Sequence, residues 1–260
     1  MTSVSLNFYD FSTIFKKCLK RTSKIKKIMV KNEVQGKTNP SIKVSNNGPY
    51  LVSGRLPLQE KIIQYDTKLD VSQWKDDYTY PLQDQYRLCR CGHSQNKPFC
   101  DGTHATAKFD GTETASHTVY QDEAVTLNGP GLRLYDAKIL CASARFCHRG
   151  GGIWRLIKSS DKSRDKSMAI DEAAECPSGR LVVFDYSTKE SLEPLLEPSI
   201  VLINDPYIHT YGPLWVRGNI LIAASDGQRY EIRNRVTLCR CGKSKNKPFC
   251  DSSHWPEEGK

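Results

Sequence analysis

Apolar residues in this chain occur mainly in short β-prone runs that glycine and proline interrupt. One such pair of runs covers residues 40–44 and 48–58, and a second pair with the same order covers residues 198–202 and 212–220. Runs of this length and punctuation are typical of strands. Each pair therefore predicts a β-hairpin, and the chain contains a repeat of about sixty to seventy residues per copy.

The first copy of the repeat is longer than the second. From the hairpin glycine to the first cysteine that follows, the distance is 41 residues in the first copy (Gly48 to Cys89) and 27 in the second (Gly212 to Cys239). The 14 extra residues are most simply placed between Glu60 and Asp77, where Trp74 and Tyr78 to Tyr80 are expected to pack without a chemical role.

The segment between the copies, residues 112–190, has a different pattern. Residues 131–136 and 181–184 predict strands, and residues 168–175 predict a short helix. Together these elements predict a mainly β protein with short helices.

The N-terminal segment is basic and amphipathic. Phe8, Phe11, Phe15 and Leu19 recur at helical spacing within residues 6–28, and residues 1–31 hold eight Lys or Arg against one acid. This segment supplies +7 of the net charge of +9, so the body is nearly neutral and general nucleic-acid binding by it is not expected. Residues 1–38 are predicted to be a basic tail or a mitochondrial targeting segment.

Cysteine usage indicates the compartment. Nine of the ten cysteines fall into three clusters with ligand-like spacing, no signal peptide of the usual form is present, and no apolar run approaches the ~20 residues of a membrane span. An intracellular, cytoplasmic protein is expected, with the mitochondrion as the alternative. Cys18 lies outside the clusters.

The strongest chemical signal is a motif that occurs twice. Residues 88–104 and 238–254 share thirteen of seventeen residues and the pattern C-x-C-x8-C-x3-H. Cysteines two apart in an extended segment project to one side, and Cys and His four apart share the face of a helical turn. Each copy is therefore predicted to clamp an inorganic centre with two donor pairs. The ligands are Cys89, Cys91, Cys100 and His104 in the first copy, and Cys239, Cys241, Cys250 and His254 in the second.

The aspartate after the third cysteine has a predicted local role. Asp101 is well placed to accept a backbone N–H and so to cap the turn that carries His104.

The motif C-R-C-G-x-S-x-N-K-P-F-C-D-G-T-H closely resembles the CDGSH signature of the mitoNEET-like iron–sulfur proteins. The resemblance covers about residues 40–110 and 198–254 and implies a [2Fe–2S] cluster in each copy. It further implies that the C-x-C pair holds the inner iron and the Cys and His pair the outer iron. Known members pair one motif per chain in a dimer, so here a monomer with an internal pseudo-dimer is expected.

The second copy departs from this signature at Ser252, where the first copy has Gly102. If that backbone requires a positive φ, the second turn must differ slightly. Because the chain ends six residues after His254, the second cluster is expected to be more exposed or labile than the first.

A pair of structural Cys3His zinc sites is the alternative at these positions. Zinc ribbons usually use C-x2-C, so the tighter C-x-C spacing favours an iron–sulfur centre. One imidazole ligand raises the reduction potential relative to four thiolates. Its protonation below about the free-histidine pKa of ~6.5 is expected to promote loss of the outer iron.

Basic residues flank the ligands in both copies. Arg90, Arg240, Lys97 and Lys247 have two interpretations, a solvated positive rim or N–H donors toward the cluster sulfides or histidine ring. His93 is expected to be a surface residue, because Lys243 replaces it in the second copy.

The middle cysteines, Cys141, Cys147 and Cys176, are spaced C-x5-C-x28-C-P-S-G. With Trp154 nearby, this pattern resembles the divergent single-cluster ferredoxin domain found beside CDGSH motifs, which implies a third, [3Fe–4S] or [4Fe–4S] cluster. His148 is a candidate fourth ligand by proximity alone. Unliganded buried cysteines in a degenerate domain are the alternative.

These inferences define four regions. After the tail come a first CDGSH domain (39–111), a divergent ferredoxin-like domain (112–190) and a second CDGSH domain (191–260). The expected fold is mainly β with short helices (α+β), with two CDGSH hairpin and helix-turn units in a pseudo-twofold arrangement around a small ferredoxin-like insertion.

The predicted function is that of a [2Fe–2S] protein in electron transfer or in cluster storage and transfer, with a redox or cluster-acceptor protein as partner. No dinucleotide glycine fingerprint, paired catalytic carboxylates or nucleophile elbow is present, so no enzyme is predicted. The alternatives are a zinc-binding interaction module and a cluster-dependent small-molecule reductase.

Overall fold

The structure is a computed structural model that describes residues 39–208 and 210–256. The predictions for residues 1–38 therefore lie outside the described residues. No helix in the described ranges is long and apolar enough to cross a membrane.

Strands dominate the described residues, and the helices are short. The strands are β1 (Ser41–Val44), β2 (Tyr50–Ser53), β3 (Leu58–Tyr65), β4 (Val71–Thr79), β5 (Gln85–Leu88), β6 (Val125–Asn128), β7 (Leu132–Asp136), β8 (Leu181–Asp185), β9 (Ser199–Asp205), β10 (Thr210–Arg217), β11 (Leu221–Ala223) and β12 (Arg235–Leu238). The α-helices are α1 (Thr103–Thr106), α2 (Tyr120–Glu123), α3 (Ile153–Lys158) and α4 (Ser163–Ala174), with 3₁₀ segments at Lys138–Leu140 and Phe146–Gly151. The mainly β prediction is confirmed.

Two sheets are built from the repeat, and they have the same strand order. One sheet runs β11-β1-β2-β5, and the other runs β3-β9-β10-β12 with β4 added beside β3. The predicted hairpins are confirmed as β1–β2 and β9–β10, both antiparallel. Each copy thus contributes three strands to its own sheet.

The fourth strand of each sheet comes from the other copy. β3 leaves the first copy and pairs in parallel with β9, while β11 leaves the second copy and pairs in parallel with β1. This exchange places the two copies of the motif in one folded unit. The pairings are those that a pseudo-twofold arrangement requires, and the arrangement itself stays a prediction.

A turn with positive φ precedes each exchanged strand. It is formed by Gly54 and Arg55 after β2, and by Gly218 and Asn219 after β10. A Cβ on Gly218 would lie 2.4 Å from the Pro198 nitrogen, so this position requires glycine. The same turn chemistry in both copies therefore redirects the chain into the opposite sheet.

The principal core is shared by both copies. Buried apolar side chains from both sheets form one cluster, among them Ile42, Tyr50, Leu202 and Leu238. The 14 extra residues of the first copy form the β3–β4 hairpin between Glu60 and Asp77, where they were placed from the sequence.

Trp74 lies on the β3–β4 hairpin of the first copy and packs against both the middle segment and the second copy. Its ring stacks on Phe146 of the middle segment (centroids 4.6 Å apart) and lies 5.2 Å from Trp215 of β10. The packing role predicted for Trp74 is confirmed.

The middle segment forms an antiparallel sheet of β6, β7 and β8 with α3 and α4 packed against it. Both predicted strands are confirmed. The predicted helix begins earlier than expected, at Ser163, because its first turn is exposed and polar and shows no apolar periodicity.

Candidate metal centres

Backbone hydrogen bonds bring the two halves of each motif together. The Cys89 N–H donates to the Pro98 carbonyl (2.8 Å), and the Cys100 N–H donates to the Arg87 carbonyl (2.9 Å). The second copy repeats both bonds at the equivalent residues: Cys239 donates to Pro248 (2.8 Å) and Cys250 to Thr237 (2.9 Å). In each copy, these bonds hold the strand that leads to the C-x-C cysteines against the loop that leads to the Cys and His pair.

The donors lie in pairs at the spacing that one metal ion requires. Two sulfurs bound at about 2.3 Å to one tetrahedral metal lie about 3.8 Å apart. The Cys89 and Cys91 sulfurs are 3.8 Å apart, and those of Cys239 and Cys241 are 3.6 Å apart. Each C-x-C pair therefore fits one edge of a metal tetrahedron, as predicted from its spacing.

The cysteine and histidine pairs also lie at ligand spacing. The Cys100 sulfur is 3.3 Å from His104 Nδ1, and the Cys250 sulfur is 3.5 Å from His254 Nδ1. Within the described ranges, no group of three or more Cys, His, Asp or Glu side chains is arranged to hold a single ion. Each site thus offers two separate donor pairs, which fits a centre with two metals.

The two pairs of the first site are electrostatic neighbours. Burial is the main cause of the raised pKa of Cys91, and the charges of Cys89 and Cys100 add to it. In the second site, the hydrogen bond between Cys239 and Cys241 lowers the pKa of Cys239 to about 6 and raises that of Cys241. Cysteines bind metals as thiolates, so metal binding at this pair would be accompanied by release of protons.

The aspartates after the third cysteine anchor the turns that carry the histidines. Asp101 accepts the Thr103 N–H (3.0 Å) and the Gln95 N–H (2.8 Å) through its two carboxylate oxygens. The pKa of Asp101 lies well below its usual value. Hydrogen bonds from Thr103 are the largest cause, and the hydrogen bond from the Gln95 N–H adds to them. Asp251 makes the same two backbone contacts in the second copy. The predicted capping contact is present.

The interpretation of Arg90 and Arg240 as part of a solvated rim is wrong. Their exposed fractions are 2% and 7%, so both side chains are buried. Arg90 donates to the Ser45 and Gly111 carbonyls, and Arg240 to the Gly212 and Ile203 carbonyls. The arginines therefore fix loops around each site through backbone oxygens, because a buried guanidinium must find acceptors.

Ser252 adopts the backbone conformation of the glycine that it replaces. Its φ is 72°, against 93° at Gly102. The Ser252 hydroxyl donates to the Cys141 carbonyl (2.6 Å) and accepts from the Ser143 hydroxyl (2.7 Å). These contacts, which span about one hundred residues of sequence, fasten the second turn to the middle segment.

The expectation of a more exposed second site is wrong for its outer donor pair. Cys250 and His254 are 3% and 9% exposed, whereas Cys100 and His104 are half-buried. The turn that joins the second pair is hydrogen-bonded through Ser252 to the middle segment. At Gly102 of the first copy, an added Cβ would meet nothing within 4 Å among the described residues.

A cleft of about 600 Å³ joins the two sites. Its lining includes Cys89 and Cys91 from the first motif and Cys241 and His254 from the second. The C-x-C loops of the two motifs pack closely against each other at Gly92 and Gly242. A Cβ on Gly92 would lie 2.8 Å from the Cys241 carbonyl oxygen, and a Cβ on Gly242 would lie 2.6 Å from the Cys91 carbonyl oxygen. Only glycine permits this approach.

Tyr50 adds a contact between the copies that the sequence did not indicate. Its buried hydroxyl, which belongs to the first copy, donates to the Cys239 carbonyl (2.7 Å) of the second site. A tyrosine in an apolar run is indistinguishable by pattern from any core residue, so no sequence signal could have found this contact.

The opening of the cleft has basic residues on both motifs. His93 is exposed, as expected, and Lys97 is exposed while Lys247 is half-buried. Both lysines line the cleft together with Lys108 and Lys243. The exposure of Lys97 agrees with a positive rim, and the choice between a rim and N–H donation toward the cluster stays a prediction for both lysines.

The three middle cysteines lie around a common small cavity. Cys141, Cys147 and Cys176 line a space of about 20 Å³ between the 3₁₀ segments and the end of α4. Burial raises the pKa of Cys147 to about 12, and the charges of Cys176 and Cys141 contribute. The sequence therefore identified a real cluster of thiols.

His148 does not join this cluster. It is not among the residues that line the cavity, and its ring packs edge-on against Trp154, with centroids 5.9 Å apart. The indole N–H of Trp154 donates to the Asp136 carboxylate. The same carboxylate accepts two hydrogen bonds from the Arg180 guanidinium. Proximity in sequence was a poor guide because the backbone between Cys147 and Trp154 changes direction at three glycines with positive φ, Gly150 to Gly152.

Comparison with protein families agrees with this geometry. The model of the family described as "Iron-binding zinc finger CDGSH type" matches residues 47–105 and 211–255. The model described as "Divergent 4Fe-4S mono-cluster" matches residues 127–186. Searches of curated proteins and of solved structures found no match. The chain therefore carries two CDGSH-type iron-binding regions with a divergent 4Fe-4S-type segment between them, as the resemblance predicted, and these matches support an iron–sulfur cluster-binding protein.

Proposed function

We propose that each CDGSH region holds a [2Fe–2S] cluster and that the protein serves electron transfer and the storage or hand-over of clusters. The observation that carries the proposal is the arrangement of donors in two pairs per site, with sulfur separations of 3.8 and 3.6 Å. A single tetrahedral zinc would need all four donors at such separations, whereas a two-iron centre needs only the members of each pair to be close.

A [2Fe–2S] cluster supplies one-electron chemistry, taking an electron from one partner and passing it to another. The chain's own residues set the surroundings. Asp101 and Asp251 orient the histidine turns, and Arg90 and Arg240 fix the flanking loops. Because both sites open onto one cleft, a single partner would reach both. In this proposal the protein is a monomeric carrier without a catalytic reaction of its own.

The different burial of the two sites supports a division of labour. The outer donors of the first site, Cys100 and His104, are half-buried, while Cys250 and His254 are buried. Exchange of a cluster requires that its ligands be reached. We therefore assign hand-over to the first site and retention to the second.

The middle cysteines would hold a third centre in this proposal. Three thiols around one cavity suit a [3Fe–4S] cluster, or a [4Fe–4S] cluster with one iron not held by cysteine. Cys147 is half-buried, and loss of hydration raises the pKa of its thiol, so metal binding would be coupled to release of its proton.

Metal analysis and spectroscopy of anaerobically purified protein test the assignment. Two [2Fe–2S] clusters give about four irons per chain, and a third centre gives about seven or eight. The expected protein is coloured, and one-electron reduction should produce an electron-paramagnetic-resonance signal of the CDGSH sites that Cys141→Ser leaves in place. A colourless, redox-silent protein with about one zinc per motif would overturn the proposal.

Variants with one intact site test the division of labour. Cys239→Ser with Cys250→Ser keeps the first site, and Cys89→Ser with Cys100→Ser keeps the second. The first site is expected to lose its visible absorbance faster to a chelator. Equal rates, or a faster second site, would refute the assignment of hand-over to the first site.

A further inference from the structure

Four lysines surround the opening of the cleft between the two sites. Lys97, Lys108, Lys243 and Lys247 line it, and Asp110 is the one acidic residue in the same lining. Lys97, Lys108 and Lys243 are exposed, and Lys247 is half-buried. These four lysines are called the cleft rim below.

The ammonium groups of the cleft rim take no part in the ion pairs formed within residues 39–208 and 210–256. Among the described residues, the ion pairs of lysine are those of Lys61 and Lys166, and none involves the rim. Lys97 Nζ lies 5.6 Å from the ring centroid of Tyr211, an exposed aromatic residue beside the same opening. The carboxylate of Asp110 is engaged by the backbone N–H and hydroxyl of Thr112. The exposed lysines Lys97, Lys108 and Lys243 therefore present their charge to solvent. The hydrogen bonds from Thr112 lower the pKa of Asp110, and the charge of the half-buried Lys247 also acts on Asp110 and adds to this effect.

The rim stands out against the rest of the chain. Of the net charge of +9, residues 1–31 contribute +7, so the remainder carries about +2 in total. Four lysines around one opening form a local positive field on a nearly neutral body. Such a field accelerates association with a surface of opposite charge and orients it.

We propose that the cleft rim is the docking surface for the acidic face of a protein partner. The inference rests on the proposed function, since a partner that receives an electron or a cluster must approach the cleft onto which both sites open. Nucleic acid is disfavoured because phosphate recognition favours arginine forks along an extended stripe. Here the motif arginines, Arg90 and Arg240, are buried and bonded to carbonyls.

Charge reversal on the cluster-loaded full-length chain tests the proposal. Lys97→Glu with Lys243→Glu changes one exposed rim lysine from each motif. Lys43→Glu with Lys75→Glu is the matched control, because these lysines are exposed on strands β1 and β4 and the change in net charge is the same. The probes are fluorescent polyglutamate, for binding, and an acidic plant-type ferredoxin, for the salt dependence of electron exchange.

The rim variant is expected to bind polyglutamate about tenfold more weakly and to lose most of the salt dependence of electron exchange, while the control changes about twofold or less. Equal losses in both variants would show an effect of net charge and would overturn the proposal. Tighter binding of single-stranded poly-dT than of polyglutamate, abolished by the rim variant, would overturn it in favour of a nucleic-acid surface. An altered reduction potential with unchanged binding would also overturn it, since the lysines would then act only on the cluster.

The two proposals fail separately. If the visible spectrum of the cluster is intact but the rim variant behaves like the control, the docking surface is refuted and the proposed function is not. If the wild-type protein carries no cluster, the proposed function fails first.

Discussion

Replacement of Ser252 separates two opposing effects at the second CDGSH turn. Its hydroxyl makes two hydrogen bonds, to the Cys141 carbonyl and from the Ser143 hydroxyl. Each contributes about 1 kcal/mol, so together they stabilise the closed turn by about 2 kcal/mol. Against this, a non-glycine residue in the left-handed region costs roughly 1–2 kcal/mol, and Ser252 has a φ of 72°.

The two substitutions at this position therefore differ in their expected effect. Ser252→Ala loses both hydrogen bonds and keeps the strain, so the turn should open more easily by about 2 kcal/mol, or about 30-fold. Ser252→Gly also loses the bonds but relieves the strain, so the net change should be about 0–1 kcal/mol, or at most about fivefold.

Hydrogen exchange measured by mass spectrometry on residues 250–256 reports this opening directly. The Trp255 N–H, which donates to the Ser252 carbonyl at 3.0 Å, lies within that peptide. Gly102→Ala in the first copy is the control, because a Cβ there meets nothing within 4 Å and isolates the backbone cost. The reasoning is refuted if Ser252→Ala exchanges no faster than wild type, or if Ser252→Gly exchanges as fast as Ser252→Ala.

Two further predictions concern buried groups. Tyr50→Phe removes the donor that the Cys239 and Pro248 carbonyls share, and the control Tyr86→Phe removes a buried bond to the Leu56 carbonyl, away from both sites. Each should cost about 1 kcal/mol in urea unfolding, but only Tyr50→Phe should alter the spectrum of the second site; equal spectra would contradict the coupling between copies. Glu172 is fully buried without a hydrogen-bond partner among the described residues, and burial raises its pKa to about 8. Because the folded state holds this proton more tightly than the unfolded state, stability should fall as pH rises from about 4.5 through about 8. Thermal unfolding of Glu172→Gln should lack this slope, and a slope equal to that of wild type would show that Glu172 is not its source.

The sequence was a good guide wherever the relevant contacts are local. The hairpins follow from runs of β-prone residues, and the pairing within each donor pair follows from spacings of two and four residues. Even the bonds that unite the halves of a motif, such as Cys89 to Pro98 and Cys100 to Arg87, join residues within the motif and its immediate flank. Such geometry is set by a short stretch of chain, so a repeated motif carries it intact.

Contacts between distant segments could not be inferred in this way. Arg90 looks like any charged residue in a loop, and nothing near it in sequence indicates that Gly111 offers it a buried carbonyl. The turn between Cys250 and His254 is likewise fastened to the middle segment, by hydrogen bonds of Ser252 with Ser143 and Cys141. Burial is a property of the whole fold, and the short tail after His254 was therefore misleading.

By itself, the sequence determined the two hairpins, the two sets of paired candidate donors, the third group of thiols and the family resemblance, because each is encoded in the types of residue and their order along the chain. Only the tertiary structure decided that β3 and β11 exchange between sheets, that both sites open onto one lysine-rimmed cleft, and that the second site is the more buried at its outer donors. These features depend on which surfaces of distant segments meet when the shared core forms. The periodicity of a single segment contains no information about which other segments will pack against it.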